Sequence, residues 1–250
     1  MNVLSLFSGI GGLELGLERA GMTVVGQVEI NPYCRQVLAK HWPDIPRHDD
    51  VRTVMEWWNS ERRPRVDLVC GGYPCQPFST AGKMLAEEDP RHLWPAFADI
   101  IRELRPSYAL LENVPAHVRL GFDRVLGDLA ELGFDAEWSL VHAAAVGASH
   151  RRPRLFVLAY SHESELGRRG GVSVLPGGWW DDSEAADSHR CRTHVGGASD
   201  AVAWPGEPYV GRMVDGSASG LDRLRLHALG NAVVPQVAEL IGRQLLEALP

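Results

Sequence analysis

Short apolar runs alternate with amphipathic stretches over the first two thirds of the chain. Runs bounded by glycine, proline or polar residues indicate buried strands, and apolar residues recurring every three or four positions indicate helices. The predicted strands are Val3–Phe7, Thr23–Val28, Val66–Cys70, Tyr108–Leu111 and Leu155–Ala159. The predicted helices are Leu13–Ala20, Tyr33–His41, Leu93–Leu104 and Phe122–Leu132. This alternation predicts an α/β fold with a mostly parallel sheet that is covered on both faces.

The pattern changes near residue 161 and again near the C-terminus. Glycine, serine, tryptophan, proline and histidine dominate residues 161–222 with weak periodicity, which indicates a small, loop-rich insert. Helical spacing returns over Val233–Leu249. Its apolar face comprises Val237, Leu240, Ile241, Leu245 and Leu246. We therefore expect a first domain over residues 1–160, the insert, and a segment over 223–250 that returns to the first domain.

Composition narrows the class of protein. A chain of 250 residues with 45% hydrophobic and 23% charged residues fits one globular domain with an insert, and excludes a disordered, collagenous or coiled-coil protein. Four cysteines in a chain of this length do not form a disulfide framework and favour a reducing compartment. No stretch reaches the roughly 18 to 20 apolar residues of a membrane span, and the N-terminus lacks the basic region of a signal peptide.

The formal net charge of −7 argues at first against a polyanionic partner. Six of these excess negative charges lie in residues 1–146, and the remaining chain is nearly balanced. Arginines cluster at 151–154, 168–169 and 190–192. A local basic cleft for nucleic acid therefore stays possible.

A glycine-rich loop, Phe7-Ser8-Gly9-Ile10-Gly11-Gly12, joins the first strand to the first helix. Glycines there allow close approach of a ligand to the backbone, although tight turns need glycine for steric reasons alone. Glu29 ends the second strand about 20 residues on, where a ribose is commonly bound. Asp50, before the next helix, either contacts a base or caps that helix. Together they predict a nucleoside-containing cofactor at the carboxyl ends of the strands.

Three further features place reactive groups at the same edge. Cys75 lies in the turn Gly71–Ser79 after the third strand, where two prolines fix it as a candidate nucleophile, whereas Cys70 within the strand is expected to be structural. Glu112 ends the fourth strand, as an acid for chemistry or as a helix cap. Arg152 and Arg154 alternate just before the last strand and are expected to point to one face, the alternative being a solvated basic surface.

These motifs in this order resemble the series found in DNA cytosine-5 methyltransferases of bacteria and phages. The series is FSGIGG, Glu29, Asp50, PCQPFS, ENV, HRRPR and LGNAVVP. The resemblance covers residues 1–159 and about 226–250, and the segment between them occupies the place of the target-recognition region. It implies a Rossmann-like S-adenosylmethionine-dependent methyltransferase fold with a small, irregular target-recognition insert.

The resemblance implies methyl transfer to C5 of a flipped-out cytosine in double-stranded DNA. Cys75 would add to C6 of the base, Glu112 would act at N3, and Arg152 and Arg154 would hold the base and its phosphate. A base inside a duplex cannot be reached from above its plane, which is why the family flips it out.

The resemblance also assigns residues to S-adenosylmethionine and its product S-adenosylhomocysteine. The set is Phe7, Ser8, Gly9, Gly11, Gly12, Glu29, Ile30, Asp50, Val51, Asn231 and Ala232. Glu29 would bind the ribose, Ile30 and Val51 the faces of adenine, and Asp50 its amino group. Asn231 and Ala232 would close the pocket from the C-terminal side.

The insert is short for the family, and His150 stands where the family often has glutamine. Its candidate DNA contacts are Trp179, Trp180, His189, Arg190, Arg192 and His194. The tryptophan pair fits a small local core better than base stacking. His189, Cys191 and His194 lack a fourth ligand nearby, so no metal site is predicted.

Three other functions compete with this interpretation. They are methylation of tRNA cytosine, a catalytically silent DNA-binding homologue, and a dinucleotide-dependent oxidoreductase. The last would explain the glycine-rich loop and Glu29 but not PCQPFS or ENV. We expect a cytoplasmic monomer without membrane contact, with a cognate restriction endonuclease as a possible partner. The recognised DNA sequence does not follow from these residues.

Overall fold

The described part of the chain is a seven-stranded sheet flanked by helices. The computed structural model describes residues 1–74, 93–170, 173–175 and 219–250, the last range with backbone only for 219–223. The strands are β1 Asn2–Leu6, β2 Thr23–Val28, β3 Arg47–His48, β4 Leu68–Gly71, β5 Tyr108–Asn113, β6 Phe134–Val141 and β7 Arg154–Ser161. The helices are α1 Gly12–Arg19, α2 Pro32–His41, α3 Val54–Asn59, α4 Trp94–Leu104, α5 Phe122–Glu131, α6 Glu165–Arg168, α7 Ser219–Asn231 and α8 Pro235–Glu247.

The strand order is β3-β2-β1-β4-β5-β7-β6. The first five strands pair in parallel, and β7 is antiparallel to both of its neighbours, β5 and β6. Because β7 runs the opposite way, its first residues meet the last residues of β5. This places the start of β7 at the edge where the parallel strands end.

Alternate residues of the central strands enter two separate cores, one on each face of the sheet. In β1, Leu4 and Leu6 pack with α3, α4 and α5, whereas Val3 packs with α1 and α8 on the opposite face. In β5, Leu111 lies in the first of these cores and Leu110 lies in the second. The predicted mostly parallel, doubly covered sheet is confirmed.

Several elements were not among the predicted ones, namely β3, β6, α3, α6 and α7. Strand β6 was missed although Phe134–Val141 alternates apolar with polar residues, as expected of an edge strand with one exposed face. Helix α7 begins at Ser219, before the predicted start of the C-terminal segment at residue 223. The boundaries of the insert stay a prediction, since residues 176–218 lie outside the described ranges.

The C-terminal helix α8 packs on α1, so the last helix of the chain lies against the first one. Val237, Ile241 and Leu245 are buried in this contact, as the helical spacing predicted. Gly16 of α1 and Ala238 of α8 allow a close approach, since a Cβ at residue 16 would lie 2.5 Å from the Ala238 Cβ. Small residues thus set the distance between the first and the last helix.

Cys70 is fully buried in β4, and burial raises the pKa of its thiol, as expected of a structural cysteine. Within the part of the chain that the structure describes, no helix has both the length and the apolar character that crossing a bilayer requires.

Candidate active site

The predicted functional residues meet at one edge of the sheet. The glycine-rich loop follows β1, Glu29 follows β2, and Gly72 follows β4. Glu112 is the penultimate residue of β5, and Arg154 is the first residue of β7, two strands that run side by side. Parallel strands bring their carboxyl ends together, and the antiparallel β7 adds its amino end.

The glycine-rich loop turns sharply between β1 and α1. Phe7, Gly9 and Gly11 all have left-handed backbone angles, with φ of 54°, 57° and 91°. A Cβ at Gly11 would lie 2.4 Å from the Trp42 ring, so the loop fits against this indole only with glycine. The loop therefore keeps its backbone close to the edge of the sheet, with the N-terminus of α1 behind it.

Glu29 connects the loops that follow β1 and β2. Its side chain is 8% exposed, and its two carboxylate oxygens accept backbone N–H bonds from Gly9 and Asn31, each at 2.7 Å. Asn31 in turn caps α2 by accepting the Tyr33 N–H. Each carboxylate oxygen keeps a second lone pair, so Glu29 remains able to accept bonds from two ribose hydroxyls.

The residues predicted to contact adenine have contrasting environments. Ile30 is 66% exposed although it is large and apolar, whereas Val51 is buried. Asp50 caps the 3₁₀ turn Val51–Thr53 and forms an ion pair with Arg52 at 2.6 Å, a contact that lowers the pKa of its carboxyl. The structure thus shows the capping alternative for Asp50, and its contact with a base stays a prediction.

Among the acids assigned to the site, Glu112 has the pKa that is shifted most. Arg154 Nε lies 3.0 Å from its Oε1, and the side chain of Glu112 is 10% exposed. Burial raises the pKa of Glu112 to about 7, although Arg154 and Arg152 oppose the rise. A Cβ at Gly72 would lie 2.6 Å from Glu112 Oε2, so the turn before Cys75 fits against this carboxyl only as glycine.

A buried polar network joins this turn to the segment after Glu112. Asn113 Nδ2 donates to the Tyr73 carbonyl at 3.1 Å, and the Tyr73 hydroxyl lies 2.7 Å from His117 Nε2. Sequence reasoning missed Tyr73 and His117. The ENV motif pointed to Asn113, but no sequence signal pairs two residues 44 positions apart.

Arg152 and Arg154 have different partners, although both were expected to point to one face. Arg154 pairs with Glu112, whereas Arg152 Nη2 donates to the carbonyls of Gly230 at 2.5 Å and Ala232 at 2.8 Å. The reason is the backbone of Arg152, whose φ of 35° is left-handed and turns the chain before β7 begins.

Asn231 and Ala232 lie beside this contact with Arg152. The Asn231 amide nitrogen is 3.2 Å from His227 Nε2, and its side chain is exposed. The exposed side chain of Asn231 is free to turn toward a ligand, and the closing of the cofactor pocket by Asn231 and Ala232 stays a prediction.

Several predicted residues lie outside the described ranges. These are Cys75, the tryptophan pair Trp179 and Trp180, and the candidates His189, Arg190, Cys191, Arg192 and His194. Among the described residues, no group of three histidine, cysteine or acidic side chains is placed to hold a metal ion.

Two cavities adjoin the site. One of about 600 Å3 is lined by Gly11, Gly12, Trp42, Arg152 and Ala232 among others, and one of about 480 Å3 lies between Val51 and α4. Each borders part of the predicted cofactor set, but neither is lined by Glu29.

Known proteins resemble this chain in sequence. The family described as C-5 cytosine-specific DNA methylase matches residues 1–177. The Type II methyltransferase M2.BsuMI of Bacillus subtilis (strain 168) is 30% identical over 98% of this chain and 75% of its own length. The Type II methyltransferase M.NgoMIV of Neisseria gonorrhoeae is 35% identical over 64% of this chain, and its matched part is 52% of its length. The chain thus spans about half of one relative and three quarters of another.

Solved structures share the fold. A putative DNA modification methyltransferase encoded within an Escherichia coli prophage has a TM-score of 0.53 and 29% identity, over 64% of this chain and 47% of that one. A DNMT2 mutant of Spodoptera frugiperda has the same TM-score and 25% identity, over 65% and 50%. The residues at the sheet edge, the matched family and these relatives agree, and the chain belongs to the C-5 cytosine-specific DNA methylase family.

Proposed function

We propose that the protein transfers a methyl group from S-adenosylmethionine to C5 of cytosine in double-stranded DNA. The observation that carries the proposal is the buried Glu112, whose pKa lies near 7 and which is paired with Arg154. It lies against Gly72 in the turn that leads into Cys75. An acid that is partly protonated at neutral pH, against the turn that leads into a candidate nucleophile, fits activation of an electron-poor ring.

The described residues fit S-adenosylmethionine at the ends of β1 and β2. Glu29 would hold the ribose with its remaining lone pairs, the exposed Ile30 would cover adenine, and the loop around Gly11 would face the methionine end. The cofactor supplies an electrophilic methyl group on a sulfonium. The exposed side chain of Ile30 is available for contact with an adenine ring, and it adjoins the carboxylate that would bind the ribose.

The protein's own residues would then act on the base in sequence. The Cys75 thiolate would form a bond to C6 of cytosine, while Glu112 donates its proton to N3 and so removes the charge that addition creates. The resulting enamine makes C5 nucleophilic enough to take the methyl group. A base, for which water suffices, then removes the C5 proton, cleavage of the bond to C6 releases the Cys75 thiolate, and N3 returns its proton to Glu112. Arg154 would orient Glu112 and the base throughout.

The substrate base would be rotated out of the duplex to reach this edge, at a cost of a few kcal/mol. We propose that the protein acts as a cytoplasmic monomer and that the insert reads the DNA sequence. The relatives are named Type II methyltransferases, and a companion restriction endonuclease would accompany such an activity here.

The test is incubation with methyl-labelled S-adenosylmethionine and duplex DNAs of varied sequence, with tRNA as a parallel substrate. Label in C5 of DNA cytosine is expected, and loss of it in Cys75→Ala and Glu112→Gln. Cys34→Ala is the matched control, because Cys34 is a free, buried cysteine of α2 that lies outside the site.

DNA containing 5-fluorocytosine separates the mechanism from the activity. It is expected to trap a covalent adduct with the parent protein and with Cys34→Ala but not with Cys75→Ala, because fluorine blocks the loss of the C5 substituent. Label in tRNA alone would replace the DNA proposal, and no label in either substrate would contradict it.

A further inference from the structure

Arg152 is occupied by the C-terminal segment of the chain. Its Nη2 atom donates to the carbonyl oxygens of Gly230 at 2.5 Å and Ala232 at 2.8 Å, and the Leu229 carbonyl is 3.5 Å away. A guanidinium nitrogen of this kind carries two hydrogens. The two short bonds therefore use the whole donor capacity of Nη2.

These carbonyls lie where helix α7 ends. The last carbonyls of a helix have no partner within the helix and carry the negative end of its dipole, so a cation is favoured there. Helix α7 ends at Asn231, and Ala232 begins the link to α8. Arg152 thus closes the end of one helix and holds the first residue of the link.

The backbone of Arg152 is adapted to this contact. Its φ of 35° is left-handed, a conformation that residues with a side chain adopt only where their surroundings hold them in it. The turn allows Arg154, two residues later, to pair with Glu112 instead. Arg154 therefore pairs directly with Glu112, whereas Arg152 influences that carboxyl only through its charge and spends its hydrogen bonds on the C-terminal link.

We propose that Arg152 is a positioning residue for the cofactor side of the site, rather than a residue that holds the base or its phosphate. The Arg152 clamp, defined as Arg152 with the carbonyls of Gly230 and Ala232, fixes the link to α8 against the start of β7. Asn231 and Ala232, which would close the cofactor pocket, lie in that link. The proposal rests on the proposed function in one respect, namely that the ligand of the pocket is S-adenosylmethionine or its product.

The clamp can be tested by hydrogen exchange and by binding of S-adenosylhomocysteine. In Arg152→Gln, amides of residues 228–234 are expected to exchange faster than in the parent, and the Kd for S-adenosylhomocysteine to rise roughly tenfold, as loss of charged hydrogen bonds predicts. Arg152→Lys is expected to restore part of both effects, because an ammonium group carries three donors on a side chain one atom shorter. Arg102→Gln is the matched control, since Arg102 is an exposed arginine of α4 that carries the same charge and pairs with Asp99.

The outcomes distinguish the clamp from its alternatives. Unchanged exchange and unchanged affinity in Arg152→Gln, with weaker DNA binding, would show that Arg152 serves the substrate and would overturn the proposal. If Arg152→Gln does not fold, the same measurements are made on Arg152→Met, which keeps the apolar stem of the side chain and removes its charge and donors. Faster exchange throughout the chain in both variants would also overturn a local clamp. A parent protein that binds no S-adenosylhomocysteine contradicts the proposed function, whereas exchange at residues 228–234 still decides the clamp.

Discussion

Two buried glutamates show how the surroundings of a single residue set its chemistry. Glu112 and Glu14 are 8% and 0% exposed, and burial raises the pKa of each to about 7. Glu112 has Arg154 as a partner. Glu14 has no cationic partner among the described residues, and the backbone and the hydroxyls of Ser8 and Ser5 only moderate the rise in its pKa. The pairing of Glu112 with Arg154 suits proton transfer, whereas ionisation of the buried Glu14 lowers the stability of the folded protein.

The pH dependence of methyl transfer should reveal the proton on Glu112. Because its pKa is about 7, the protonated fraction falls as pH rises through 7, so kcat/KM should decline on the alkaline side. Glu112→Gln should lower kcat/KM by about 10²–10⁴-fold and abolish that decline. Since Arg154 lowers the pKa of Glu112, Arg154→Gln should move the decline to higher pH, whatever it does to the rate. An alkaline decline that persists unchanged in Glu112→Gln would assign it to another group.

The stability of the protein should depend on Glu14 in a defined pH window. A raised pKa in the folded state means that stability is complete below the ordinary pKa of 4.5 and is lost as pH rises through about 7. A rise of this size corresponds to about 3 kcal/mol. Glu14→Gln should therefore gain up to about that amount relative to the parent between pH 4.5 and 8. Urea unfolding at several pH values measures the difference, with Glu247→Gln as an exposed control; a difference that does not change with pH contradicts it.

At this scale the sequence predicted the reactive groups but not their partners. Glu112 and Arg154 follow from strand ends and motifs. The contact of Arg152 with Gly230 joins residues 78 positions apart, and that of Tyr73 with His117 joins residues 44 apart. Such pairs depend on which strands become neighbours, and no local pattern encodes that choice.

At the scale of elements, hydrophobic periodicity predicted the strands and helices that bury a whole face. It missed strands and helices that bury only part of a face. The central strands are apolar on both sides, and α8 has a clear apolar stripe, so both were predictable. Strand β6 lies at the sheet edge and has an alternating pattern, whereas the described side chains Leu224, Leu226 and Leu229 of α7 are exposed. Formation of α7 therefore depends on its neighbours rather than on an amphipathic pattern.

The packing of α8 on α1 gives a prediction about glycine. A Cβ at Gly16 would lie 2.3 Å from the Pro235 carbonyl oxygen, so Gly16→Ala must push the two helices apart and should destabilise the protein by about 1–3 kcal/mol. Gly127 lies inside α5 with open space around its Cβ position, so Gly127→Ala should stabilise by roughly 0.5–1 kcal/mol. Urea midpoints of the two variants measure the contrast. Equal effects of the same sign would show that helix propensity, not the α1–α8 contact, dominates at Gly16.

At the scale of the whole molecule, net charge is a poor guide to the partner. The chain carries −7, yet the edge that gathers the predicted reactive groups includes Arg152 and Arg154, with Arg151 exposed beside them. Several acids of the first domain are held by specific contacts. Glu29 accepts two backbone N–H bonds, and Asp50 caps a turn. Fields at a surface depend on local arrangement, and a basic edge can bind DNA on an acidic protein.

Salt should therefore weaken DNA binding by this acidic protein. Binding that neutralises even two phosphates predicts about a tenfold loss of affinity between roughly 50 and 200 mM salt. Fluorescence anisotropy with a labelled duplex measures the slope, and S-adenosylhomocysteine, which has no net charge, should bind with little change over the same range.

Arg151→Gln should reduce the slope by about one unit if Arg151 contacts a phosphate. Arg243→Gln is its control, because Arg243 is paired with Glu239 on α8. DNA affinity that stays constant with salt would mean that binding neutralises no phosphates, and would contradict a DNA-binding role for the arginine edge.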